Sequence, residues 1–137
     1  MKTSPERSRK MTDNELMTAA EKACGNAYAP YSKFKVGAAL LTSDGRVFTG
    51  CNVENSSYGA GICAERTAAV KAVSEGAVKF SAIAIANGGG GLTYPCGICR
   101  QFLSEFSDED MRIILRDIDG NIVTHTLGEL MPHGFKL

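Results

Sequence analysis

A chain of 137 residues fits one domain and is long enough to bury a two- or three-layer core. Fifteen basic residues balance fifteen acidic ones, with a pI near 6.7, which excludes the basic stripe of a protein that grips a nucleic-acid backbone and leaves small, nearly neutral ligands open. No run approaches the roughly 18 apolar residues of a membrane span and no charged start leads into an apolar signal-like stretch, so the expectation is a cytoplasmic protein with no membrane partner.

Residues 1–11 carry Lys2, Arg7, Arg9 and Lys10 with little to bury, and read as a flexible tail ahead of a single domain over 12–137. Thr12-Asp13-Asn14-Glu15 is a capping box, and Leu16, Ala20, Ala23 and Ala27 recur behind it at helical spacing. That helix is expected to stop before Pro30, because the residue preceding a proline avoids helical geometry. Cys24 inside it reads as a small buried hydrophobe. Phe34 to Leu41 and Arg46 to Cys51 flank Ser43-Asp44-Gly45, a hairpin signal.

Ala64 to Ser74 is rich in Ala and Val on several faces, which suits a short central helix stopped by Gly76. Phe80 to Ala86 reads as a strand. The glycine run Gly88 to Gly91 behind it lacks a Gly-Lys-Ser/Thr ending, and reads as a flexible surface connection rather than a phosphate loop. Gly97 to Phe106 is an amphipathic helix with Phe102, Leu103 and Phe106 on its apolar face. Met111 to Arg116 and Asn121 to Thr126 are strands around an Asp119-Gly120 turn, and Leu127 to Met131 is a last short helix stopped at Pro132. The order predicts a three-layer α/β/α sandwich around one mixed sheet of about five strands, with no internal repeat or linker.

The chemistry is concentrated in two cysteine clusters, Gly61-Ile62-Cys63-Ala64-Glu65-Arg66 and Tyr94-Pro95-Cys96-Gly97-Ile98-Cys99-Arg100. Each lies where a loop turns into a helix, so three thiols and one carboxylate would converge at two helix N-termini, which favour thiolate. Three sulfurs satisfy zinc and leave its fourth tetrahedral position open, the pattern of a catalytic site. Two other readings stay open on these residues alone. One is a closed structural site with Cys24, Cys51, His125 or His133 as a fourth ligand, and the other is a redox pair of Cys96 and Cys99. A non-enzymatic zinc-stabilised module is the corresponding functional alternative.

Cys63-Ala64-Glu65 followed by Pro95-Cys96-Gly97-Ile98-Cys99 resembles the zinc-dependent cytidine deaminase superfamily, and the likeness extends from about Tyr31 to Phe135, toward the small homotetrameric nucleoside type. The resemblance implies one Zn²⁺ per subunit on Cys63, Cys96 and Cys99, with Glu65 as the proton shuttle between water at the metal and the cytosine ring. It implies that Arg66 hydrogen-bonds a zinc-bound sulfur, that Asn52 and Glu54 hold the ribose 3′-hydroxyl, and that Phe34 and the backbone N–H of Ala64 meet the pyrimidine. Phe135 would reach a neighbouring subunit's base pocket and Tyr58 would lie in the interface. Arg100 is left between assisting the thiolates and being solvated or ion-paired. Tyr94 departs from the family, which usually has Ser before Pro-Cys. The implied activity is hydrolysis of cytidine and 2′-deoxycytidine to uridine and 2′-deoxyuridine with release of ammonia, in pyrimidine salvage. A blasticidin-type deaminase is the nearer rival, against which Asn52 and Glu54 argue.

Overall fold

A computed structural model describes residues 11–137; the tail expected over 1–11 lies outside the described residues except for Met11, which packs against the sheet. Helix α1 spans Asp13–Cys24, and its capping box forms as the sequence predicts. The Thr12 hydroxyl accepts from Glu15 N, and the Glu15 carboxylate accepts from Thr12 N. The helix ends at Gly25, five residues short of Pro30. Ala27 and Ala29 are buried all the same, outside the helix, so apolar spacing alone overran its end.

Strands β1 (Val36–Thr42) and β2 (Val47–Cys51) form the expected hairpin, with Gly45 at positive φ in its turn. Phe34, placed at the head of β1 from sequence, lies outside it. The chain turns at Lys33, which has φ 61°, and the strand begins at Val36. A short 3₁₀ turn (Tyr58–Ala60) leads to α2 (Ala64–Ser74), followed by β3 (Phe80–Asn87), α3 (Gly97–Ser104), β4 (Arg112–Arg116), β5 (Ile122–Thr126) and α4 (Leu127–Leu130). Helices α3 and α4 end slightly earlier than predicted, at Ser104 and Leu130. The strand order is β2-β1-β3-β4-β5, with β3 and β4 parallel and the other neighbours antiparallel.

Alternation along the strands sorts large and small side chains onto opposite faces. Leu40, Ile83, Ile85, Ile113 and Leu115 face α2 and α3, where α2 offers Ala64, Ala68, Ala69 and Ala72. Ala39, Ala82, Ala84 and Ala86 face α1, which offers Leu16 and Met17. Bulk on one layer therefore meets small residues on the next, the complementarity that native packing density requires.

Two glycines set how closely the helices approach. A Cβ on Gly37 would lie 2.1 Å from Ala20 O in α1, and one on Gly50 would lie 2.4 Å from Ala68 N in α2. Both contacts are with backbone, so no side chain fits. Ion pairs Arg112–Asp13 and, at 3.0 Å, Arg116–Glu21 also tie α1 to β4. The glycine run after β3 is held by Asn87, whose amide donates to Gly91 O at 3.1 Å and to Thr93 Oγ1 while its oxygen accepts from Gly89 N.

Candidate active site and metal centre

Cys63 is the N-cap of α2 and Cys96 the N-cap of α3, with Cys99 in the first turn of α3. The three Sγ atoms lie within 4.8 Å of one another, and those of Cys63 and Cys96 are 3.7 Å apart. Tetrahedral zinc with Zn–S bonds of about 2.3 Å requires an S···S edge of about 3.8 Å, so this donor set fits that ion. Among the described residues it is the one group of three or more candidate ligands that converges.

The proposed fourth ligands are engaged elsewhere or stand apart. Cys24 is buried and donates its thiol to Lys35 O, and His125 contacts Tyr94 and Glu129. Neither they nor Cys51 and His133 join the cluster. A redox pair of Cys96 and Cys99 would leave Cys63 in the cluster without a role.

Cys63 and Cys99 hold their protons unequally. A hydrogen bond from Cys99 holds Cys63 down at about pKa 5 against the opposing effect of burial, with Arg66 and Cys96 assisting. Cys99 is pushed up, first because it is the donor in that bond and then by burial. A divalent cation would supply what the Cys99 thiol needs to ionise, with release of its proton. Arg66 Nη2 lies 3.6 Å from Cys63 Sγ, and its Nε is buried without a partner.

Glu65 follows two residues after Cys63 and is only 4% exposed. Burial, the largest cause, and the negative charge of Cys63 raise its pKa to about 7. A carboxyl poised there exchanges protons in both directions at neutral pH. Ala64, fully buried, opens α2, where a backbone N–H has no partner within the helix.

Asn52-Val53-Glu54 runs beside this centre. Val53 N and O pair with Ile62 O and N, immediately before Cys63, while Tyr28 pairs with the other edge of the segment. The spacing between this strand-like segment and the metal loop is thereby set by backbone bonds. Asn52 Nδ2 donates to Phe34 O at 2.8 Å and Oδ1 accepts from Val36 N at 2.9 Å, so one N–H of the amide remains to be used.

Glu54 Oε1 accepts from Tyr31 N and Ser32 N, and Oε2 accepts from the Ser32 hydroxyl. Ser32 dominates in holding this carboxyl below the usual range. Asn52 and Glu54 thus also fasten the loop that carries Phe34, a task the sequence did not reveal. Bonds across 16 to 23 residues leave no periodic trace.

Phe34 is 50% exposed and Phe135 68% exposed, so neither is core. Arg100 is half-buried and has no ion pair among the described residues: its Nε donates to Pro95 O at 2.8 Å and its Nη1 to Leu130 O at 2.6 Å.

Residues 10–115 match the family described as the cytidine and deoxycytidylate deaminase zinc-binding region. The chain belongs to this deaminase family. It is 46% identical over 126 residues to the cytidine deaminase of Sporosarcina psychrophila, covering 92% of this chain and 93% of that one. A probable cytidine deaminase of Dictyostelium discoideum is 53% identical over 111 residues, 78% of this chain and 76% of that one. Among solved structures, cytidine deaminase from Burkholderia pseudomallei superposes with a TM-score of 0.85 at 46% identity, covering 91% of this chain and 100% of that one. The deaminase fold and the zinc-binding character of the family therefore apply to this chain, and Cys63, Cys96 and Cys99 are the group able to hold the ion.

Proposed function

We propose that the protein is a cytidine deaminase that hydrolyses cytidine and 2′-deoxycytidine to uridine and 2′-deoxyuridine, releasing ammonia. The observation that carries this reading is the buried carboxyl of Glu65, with a pKa raised to about 7, beside three convergent sulfurs with zinc-like spacing.

When bound by Cys63, Cys96 and Cys99, zinc supplies Lewis acidity that makes water nucleophilic at neutral pH. Glu65 takes a proton from the attacking water and gives it to ring N3 as the water oxygen bonds to C4. The same carboxyl then moves the remaining water-derived proton from the new C4 hydroxyl to the amino group, so that the C4–N bond breaks, ammonia leaves and the C4 carbonyl forms. Arg66 draws charge from the Cys63 sulfur, the Ala64 N–H orients the ring, and Phe34 covers its face. Asn52 and Glu54 bind the 3′-hydroxyl through the amide N–H and carboxylate capacity that the Phe34 loop leaves free.

Exposed aromatic side chains support an assembled site: Tyr58 is 90% exposed, and Phe34 and Phe135 are open to solvent on one chain. In this reading the protein is a homotetramer in which Phe135 completes a neighbour's base pocket and Tyr58 packs at the interface. Residues 12–137 form one deaminase domain that works in cytoplasmic pyrimidine salvage. No helix among the described residues is long and apolar enough to cross a membrane.

The test is ammonia release from cytidine, 2′-deoxycytidine, 3′-deoxycytidine and a blasticidin-type antibiotic. The expected order places the first two far above the others. Preferential turnover of the antibiotic, or indifference to the 3′-hydroxyl, would overturn the substrate assignment.

A further inference from the structure

Of the three sulfurs, that of Cys99 belongs to a buried residue and that of Cys63 to a half-buried one, whereas Cys96 is exposed. Cys96 caps α3 at the end of a loop with no regular structure, so it stands at the margin of the helix rather than within it. Ties from elsewhere are concentrated on the residues around it. Beyond the first helical bond of α3, from Arg100 N to Cys96 O at 2.9 Å, the Arg100 guanidinium spans from Pro95 O to Leu130 O at the end of α4. One residue before Pro95, the Tyr94 hydroxyl lies 3.3 Å from His125 Nε2 on β5, with the two rings 5.6 Å apart. The other ring nitrogen, His125 Nδ1, lies 3.7 Å from the Glu129 carboxylate, which itself belongs to the capping box of α4.

We propose that the β5–α4 corner is a buttress for the metal loop, in which Arg100, seconded by Tyr94 and His125, positions Cys96 for the metal without supplying a ligand. The proposal rests on the reading of Cys96 as a zinc ligand. A planar guanidinium suits this task because its fixed fork reaches two carbonyls at once, whereas a lysine ammonium on a flexible stem reaches one well. Partners that orient a ligand set metal retention as much as the ligands do, and losing one typically costs 10- to 100-fold in metal affinity. The Tyr94 ring and hydroxyl add an aromatic arm from the metal loop to His125.

The experiment measures zinc release from the loaded protein into a chromogenic chelator, well below the unfolding temperature, together with the visible spectrum after cobalt substitution. Arg100→Ala is expected to release zinc about 10 to 100 times faster and to shift the cobalt bands. Arg100→Lys should fall between it and the unchanged protein, and Tyr94→Phe and His125→Ala should each accelerate release about two- to fivefold. A folded Arg100→Ala with unchanged release and spectrum would overturn the buttress. Should that variant fail to fold, unchanged release in both Tyr94→Phe and His125→Ala would do so. Cys96→Ser is the control: if it keeps zinc as firmly as the unchanged protein, the ligand assignment has failed rather than the buttress.

Discussion

Helices α1 and α2 pack on opposite faces of one sheet, each seated on a glycine, yet they begin in opposite ways. Helix α1 opens with a complete Thr12–Glu15 capping box and puts Leu16, Met17 and Ala20 into the core. Helix α2 opens with Cys63, whose side chain makes no capping bond, and buries Glu65 in its first turn. Helix α3 is intermediate, because Cys96 Sγ accepts from Cys99 N at 3.5 Å. The two helices that carry the candidate metal ligands give up strong caps so that sulfur can stand at their N-termini, and α2 also accepts a buried ionisable group. The structural helix makes neither concession, which is the pattern expected where function departs from local consistency.

The sharpest way to break this contrast is Cys63→Ser, which gives α2 a preferred capping residue and removes a thiolate. Zinc affinity should fall by at least about 100-fold and turnover should vanish, while below about pH 5, where Cys63 no longer gains from ionising in the fold, the metal-free protein should be as stable as before or more so by up to about 1 kcal/mol. Zinc titration and thermal melts of the metal-free protein check both halves.

Next in size is the cost of burying Glu65. Its folded pKa of about 7 lies above the ordinary 4.5 of a glutamate, so the native state holds the extra proton. That stabilisation is fully present below pH 4.5 and is lost as pH rises through about 7. Glu65→Gln should therefore leave the metal-free protein's stability little changed at pH 4.5 and raise it at pH 8 by about 3 kcal/mol, the free energy of a rise from 4.5 to about 7. Denaturant melts at the two pH values measure it, and an equal gain at both would contradict the burial argument.

Smallest is Thr12→Ala. It should lower stability by about 1 kcal/mol through loss of the α1 cap, with kcat and zinc content unchanged. A loss of activity beyond that expected from stability would mean the two faces are not separate in function.

Much of this contrast was legible in the sequence, because its parts are local. The capping box, the hairpin around Asp44-Gly45, the two cysteine clusters and the Ala-rich helix are each written within a few consecutive residues. The end of α1 was not, since Ala27 and Ala29 are buried against the fold without being helical. The ties of Glu54 to Ser32, Asn52 to Phe34 and Arg100 to Leu130 also escaped notice. Each joins a side chain to a segment 18 to 30 residues away, and such pairings have no period in the sequence. Arg100 shows the consequence: its neighbours in the chain suggested thiolate chemistry or solvent, and its partners are two backbone carbonyls.

The central claim is that Glu65 moves protons at a metal held by cysteine alone. Zinc content and cytidine turnover measured together on the unchanged protein and on Glu65→Gln test it most directly. The account predicts about one zinc per chain in both and turnover reduced by about 10² to 10⁴ in the variant. Equal turnover would remove the shuttle, and zinc lost with the carboxylate would make Glu65 a ligand instead.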